Sequence, residues 1–202
     1  MPDTPTRSQH AAPFVLAFGD SLTAGYGLPR DAAFPARLQA LLRDRHPGAL
    51  VQNAGVSGDT SASGRARLPR VLSALRQRPD LAILELGAND FLQGVDPART
   101  RANLDAMLTM FADSGIPVLL AGMRAPAFLG AAAAPFNTVH PGLAKQHGAP
   151  LYPFFLDGVA RRADMTLADR IHPNAAAIVE VARRILPHVE RALAAVGTRA
   201  AA

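Results

Sequence analysis

The stretch FVLAFGDSLTAGYG, Phe14–Gly27, opens as an unbroken apolar run and then gives way at Gly19 to Asp20-Ser21. Five apolar residues without alternation read as a strand covered on both faces, the pattern of a parallel sheet with helices on either side. Ser21 then stands at the carboxyl end of that strand, with Gly25 and Gly27 close behind. A serine there is either a plain turn residue or a nucleophile set at the edge of a sheet. The remainder of the chain decides between them.

Further strand candidates follow at 49–53, 81–86, 117–121 and 150–153. Amphipathic segments lie between them. Phe34, Leu38, Leu41 and Leu42 fall on one helical face, with Pro35 suited to the first turn. A second helix starts near Thr60 and carries Leu68, Leu72 and Leu75. Pro69 must lie near its beginning or bend it. Leu104, Met107, Leu108 and Phe111 mark a third helix, with Gly115 suited to its end. A last helix spans about 174–196 through Ile178, Val181, Ile185 and Val189, with a kink expected at Pro187. Strand and helix in alternation predict an α/β fold, a parallel sheet with helices on both faces. The 202 residues suit one domain, expected over 13–196, with loose tails at 1–12 and 197–202. The Ala-, Pro- and Gly-rich stretch 123–135 reads as a surface loop.

Composition narrows the function. Formal net charge is +5, which raises nucleic acid as a partner. The densest basic group, Arg65, Arg67, Arg70, Arg76 and Arg78, has no aromatic residue interleaved for base stacking, so that class is set aside. No apolar run approaches the roughly 20 residues a membrane-spanning helix needs, so no stable membrane insertion is expected. With no cysteine, thiolate metal sites and disulfides are out of reach. The polar first twelve residues lack the apolar centre of a secretory signal. The chain therefore reads as cytoplasmic, or as the trimmed form of an exported protein.

In an open parallel sheet, sites collect at the carboxyl ends of the strands. There the sequence places Gly19-Asp20-Ser21-Leu22, then Asn53-Ala54-Gly55-Val56-Ser57-Gly58-Asp59-Thr60, then Gly87-Ala88-Asn89-Asp90. Asp169-Arg170-Ile171-His172-Pro173 precedes the last helix. These residues are what acyl transfer needs. A serine becomes nucleophilic when an imidazole takes its proton and a carboxylate holds the imidazole. An Asp three residues before a His can fold back onto its Nδ1–H, and Pro173 would open the final helix. The oxyanion needs donors aimed at it. The Ser21 N–H, the Gly58 N–H and the Asn89 amide are the candidates. Of the six histidines, only His172 has this context, and the others are expected to be mostly solvated. Gly55 reads as a turn glycine, and Asp59-Thr60 as a helix start. Asp20 and Asp90 are candidate supports for the serine turn and the Asn loop. Glu85, inside an apolar strand, calls for a buried partner.

The four blocks GDSLTAGYGL, NAGVSGDTSASGRARLP, LELGANDFLQG and DRIHPN resemble, in order, those of the SGNH or GDSL-type serine hydrolases. MRAPAFLG and APLYPFFLDGV look like its bacterial branch of arylesterases and broad-specificity acyl-CoA thioesterases and lysophospholipases. Ala88 stands where that branch often has a second glycine. The resemblance implies a three-layer, flavodoxin-like α/β/α sandwich on five parallel strands, Ser21 as nucleophile, Gly58 and Asn89 as oxyanion donors, and Asp169 with His172 as the base pair. It implies no cofactor and no metal. The expected substrate is a small ester or thioester with an acyl or aryl group. Leu92, Phe128 and Leu129 are candidate pocket contacts. The serine lies outside a G-x-S-x-G elbow, because Thr23 occupies the last glycine position, and no phosphate loop follows a strand. Carbohydrate O-deacetylation on the same fold is the alternative reading, and a non-catalytic flavodoxin-like binding module is another.

Overall fold

The computed structural model describes residues 12–200, apart from the side chains of 127, 128, 132 and 197–200. Five parallel strands, β1 (Phe14–Gly19), β2 (Leu50–Gly55), β3 (Leu81–Glu85), β4 (Val118–Ala121) and β5 (Leu151–Tyr152), lie in the order β2-β1-β3-β4-β5. The helices are α1 (Ser21–Ala24), α2 (Phe34–Arg43), α3 (Ser61–Ser73), α4 (Ala88–Leu92), α5 (Pro97–Asp113), α6 (Ala134–Asn137), α7 (Val139–His147) and α8 (Ala175–Ala200).

Alternation along each strand divides the core in two. Val15 and Ala17 of β1, Leu81 and Ile83 of β3, and Leu119 and Ala121 of β4 pack with Phe34, Leu38 and Leu42 of α2 and with Ile178, Val181, Ile185 and Val189 of α8. Leu16, Phe18, Ala82, Leu84, Val118 and Leu120 point the other way. They meet Leu68 of α3, Leu104, Met107, Leu108 and Phe111 of α5, and Leu143 of α7. The result is the three-layer α/β/α sandwich. At the β2 edge the Gln39 side chain accepts from the Val51 N–H at 2.9 Å, so one edge donor is blunted. In this strand order β1 and β3 form the topological switch, where a crevice opens at the carboxyl ends.

Several sequence expectations need correction. Pro69 lies in the second half of α3, tolerated because it costs one intrahelical bond in a helix already capped at Thr60 and packed through Leu68. The segment 123–135 is not a free loop. Met123, Ala125 and Ala133 are buried, a 3₁₀ segment spans Ala127–Ala133, and the Asn137 side chain accepts from the Ala125 N–H at 2.8 Å. Small side chains let this stretch pack flat against the core. Pro173 does not open α8. Asn174 caps it, its Oδ1 accepting from the Ala177 N–H at 3.0 Å. The helix runs through Ala200, past Val196. Residues 1–11 and 201–202, where loose tails were expected, lie outside the described residues.

Candidate active site

The nucleophile turn is made by Asp20. Its Oδ1 accepts from the Leu22 N–H at 2.9 Å and so caps the single turn α1, whose first residue is Ser21. The Ser21 side chain is largely sheltered, and its Oγ lies 3.0 Å from His172 Nε2. The Asp169 turn supplies the other half. Asp169 Oδ1 accepts from the N–H groups of Ile171 (2.9 Å) and His172 (3.0 Å), and Oδ2 accepts from His172 Nδ1 at 2.6 Å. The Ile171 N–H and the bonds from His172 hold the Asp169 carboxyl down at about 2. It is therefore a carboxylate throughout the neutral range. With Nδ1–H given to Asp169, Nε2 carries the lone pair facing Ser21. The loop is pinned by the Leu167 N–H on His172 O (2.8 Å) and the Asn174 N–H on Met165 O (3.0 Å).

Asn89 is the second residue of α4, which begins directly after Gly87, whose φ of +119° favours glycine. Its amide Nδ2 donates to Asp59 O at 2.9 Å and to Asp20 Oδ2 at 3.1 Å. Asp59 follows Gly58 and Asp20 precedes Ser21, so this one amide ties the three strand-end loops together. Gly58 adopts φ +86°, and a Cβ there would meet nothing within 4 Å. It is needed for its backbone conformation rather than for close approach. Among the described residues the Gly58 N–H has no protein acceptor. Gly55 departs from its expected turn role. It sits in β2, and a Cβ on it would lie 2.3 Å from the Ala24 N atom.

Behind the turn lie three buried carboxyls. Asp90 accepts from the Ser61 N–H at 2.7 Å, from the Ser61 hydroxyl and from Thr100 Oγ1 at 3.1 Å, which binds the start of α3 to α4 and α5. Burial raises Asp20 to about 6 against the pull of the Leu22 N–H. Glu85 has the partner its strand position demanded: Thr23 Oγ1 donates to its Oε2 at 2.7 Å, while Oε1 is left unpaired. Burial first, and the Asp20 charge second, push the Glu85 carboxyl well above its ordinary range. Because this carboxyl holds its proton more tightly in the fold than in the unfolded chain, its contribution to folding is fully present below about pH 4.5, where it is neutral in both states. That contribution is lost as pH rises toward the folded value. Thermal unfolding from pH 5 to pH 8 should show this loss, and Glu85→Gln should make the slope shallower, leaving a higher Tm at pH 8. An unchanged slope in the variant would disprove it.

Two residues were not singled out from the sequence. Arg67, one of the dense basic group, is turned inward. Its Nη2 donates to Gly19 O at 2.9 Å, its Nε bonds Asp59 Oδ2, and its guanidinium lies 3.9 Å from the centre of the Phe18 ring. It thereby staples the first strand end to the second loop. The spacing from Thr60 puts Arg67 on α3, but nothing local says which arginine faces inward. Tyr26 stands in the quoted opening stretch and stacks on His172. His140, one of the five histidines expected to be mostly solvated, is 1% exposed and bonds Leu86 O through Nε2 at 3.0 Å. Of the pocket candidates, Leu92 is exposed and Leu129 packs on the core. The Phe128 side chain lies outside the described residues.

Comparisons with known proteins place the chain in a family. The model of the GDSL-like lipase/acylhydrolase family matches residues 17–177, from β1 into α8. The chain belongs to the GDSL-like lipase/acylhydrolase family. This GDSL-like protein is 35% identical over 187 residues to an arylesterase of Vibrio mimicus, covering 90% of this chain and 92% of that one. It is 39% identical over 166 residues to thioesterase 1/protease 1/lysophospholipase L1 of Escherichia coli K12, 81% of this chain and 77% of the relative. The crystal structure of AlinE4, an SGNH-hydrolase family esterase, matches with a TM-score of 0.76 at 45% identity, over 90% of this chain and 97% of that one.

Proposed function

We propose that this GDSL-like protein hydrolyses carboxylic esters, and thioesters, through an acyl-enzyme on Ser21, with His172 as general base and Asp169 as its orienting carboxylate. The chain is a serine ester hydrolase by its family and by relatives named arylesterase and thioesterase that match over four-fifths or more of its length. The observation that carries the residue assignment is the unbroken relay from Asp169 Oδ2 through the imidazole to Ser21 Oγ, at 2.6 and 3.0 Å. Both distances fall within proton-transfer reach.

His172 Nε2 takes the Ser21 proton as Oγ attacks the carbonyl carbon. The carbonyl oxygen becomes an oxyanion beside the N–H groups of Ser21 and Gly58 and the Asn89 amide. His172 then returns the proton to the departing alcohol or thiol. Water repeats the sequence on the acyl-enzyme and frees the acid and Ser21. Both Asn89 amide hydrogens are engaged at rest, so the oxyanion must compete with Asp20 Oδ2 or Asp59 O for one of them. An oxygen bearing full charge is the stronger acceptor.

The substrate is a small ester. Breadth follows from the surroundings: Tyr26, Val56, Leu92 and Ile171, all exposed, belong to the loops and helix ends that carry Ser21, Gly58, Asn89 and His172. An open apolar rim separates chain lengths by only a few kcal/mol. A fluorophosphonate probe should label Ser21 in the native protein, found by peptide mass spectrometry. Rates on p-nitrophenyl acetate through palmitate should then vary smoothly and exceed those on acetylated sugars. No adduct on Ser21 would overturn the nucleophile assignment. Preference for acetylated sugars would favour carbohydrate deacetylation.

A further inference from the structure

Tyr26 is a large aromatic residue left half exposed, at 50%, where an unpartnered ring would gain from burial. Its ring centroid stands 4.3 Å from that of His172, with an interplanar angle of 33°. The backbone around it is built to put it there. Gly25 and Gly27 on either side adopt φ of +86° and +71°, a region that favours glycine. A Cβ on Gly25 would lie 2.5 Å from Ala33 Cβ, and one on Gly27 would lie 2.7 Å from Leu167 Cδ1. The Gly25 and Tyr26 N–H groups both donate to the carbonyl of Ser21, at 3.0 and 3.1 Å. Leu167 belongs to the loop that holds His172, since its N–H bonds His172 O at 2.8 Å. The main chain of Tyr26 is thus anchored to the residue carrying the hydroxyl. Its ring is laid on the imidazole that must meet that hydroxyl.

We propose that Tyr26 is a positioning residue for His172: its ring covers one face of the imidazole, fixes the direction of Nε2 toward Ser21 Oγ, and favours the imidazolium that forms as the proton is taken. This rests on the assignment of His172 as base to Ser21. Three contacts then set the imidazole: Asp169 at Nδ1, Ser21 at Nε2 and the tyrosine ring on a face. The first two hold the ring at its two nitrogens, in its own plane, and the third backs one face against tilting out of that plane. The π face also attracts a cation laid over it. The ring acts through its face, so the hydroxyl has no part in it.

The test compares Tyr26→Phe, Tyr26→Leu and Tyr26→Ala in the full chain. Tyr26→Phe keeps the face. Tyr26→Leu keeps much of the bulk without it. The readouts are the rate of Ser21 labelling by a fluorophosphonate, kcat and KM on p-nitrophenyl acetate, and Tm. Expected are near-native labelling and kcat for Tyr26→Phe. Tyr26→Leu and Tyr26→Ala should fall about tenfold in both, on the order of an aromatic or cation–π contact, with KM within about twofold and Tm little moved. Equal loss in Tyr26→Phe would assign the effect to the hydroxyl and overturn the proposal. So would native rates in Tyr26→Ala, or a fall confined to KM. Failure of the underlying reading looks different: the unaltered protein would then not be labelled at Ser21 at all.

Discussion

Ser21→Ala is expected to reduce kcat about a million-fold, and His172→Ala by a similar factor, with the double variant no worse than either alone. Residues that act as one relay lose their joint contribution when any essential member goes. Here the relay is the 3.0 Å contact between Ser21 Oγ and His172 Nε2. Without the hydroxyl no acyl-enzyme forms. Without the imidazole the hydroxyl keeps its proton. What remains, about 10³–10⁴ over water, comes from binding and the oxyanion donors. Folding should be untouched, because among the described residues Ser21 Oγ bonds only His172. The measurement is steady-state hydrolysis of p-nitrophenyl acetate beside thermal unfolding. Ser21→Ala retaining a hundredth of native kcat at native Tm would exclude Ser21 as nucleophile. An additive double variant would mean that the two residues do not act as a unit.

Asn89→Ala is expected to lower kcat about 100- to 1000-fold, the range for losing one preorganised oxyanion donor, with KM little changed. The donor serves the charged transition state more than the neutral ester, so the loss belongs in kcat. Tm should also fall, because Asp20 Oδ2 and Asp59 O lose the amide they share. A buried acceptor left unpaired costs roughly 1–3 kcal/mol. These two effects separate the possible roles. A residue that only tied loops together would lower Tm and leave the folded protein's kcat within a few-fold. Kinetics well below the melting range therefore decide the matter, and a near-native kcat there would remove Asn89 from the oxyanion site.

Much of this was legible along the chain because it depends on local periodicity and local turns. The apolar runs at Phe14–Phe18 and 81–86 announced strands covered on both faces. The spacing of Phe34, Leu38 and Leu42 announced the face of α2. The Asp169–His172 turn could be anticipated because its three-residue span lets one carboxylate reach both the backbone and the ring. The four motif blocks carried the family, and strand ends told where their residues would collect.

Other features depend on contacts between distant segments, which leave no periodic trace. Ser21 and His172 lie 151 residues apart, and only the strand order β2-β1-β3-β4-β5, with α8 returning across the sheet, joins them. The inward turn of Arg67 among its basic neighbours follows from where Gly19 O, Asp59 and Phe18 stand. The packing of 123–135 follows from the space its alanines can fill, and the burial of His140 from the helices around β3. Gly25 and Gly27 shape the turn behind Ser21. In three dimensions they bring a tyrosine ring onto the imidazole, because the chain takes φ of +86° and +71° at 25 and 27 and Ala33 leaves no room for a side chain at 25. Composition and periodicity establish which segments fold and how. Which groups then touch depends on steric fit between segments that are neighbours only once the sheet is assembled.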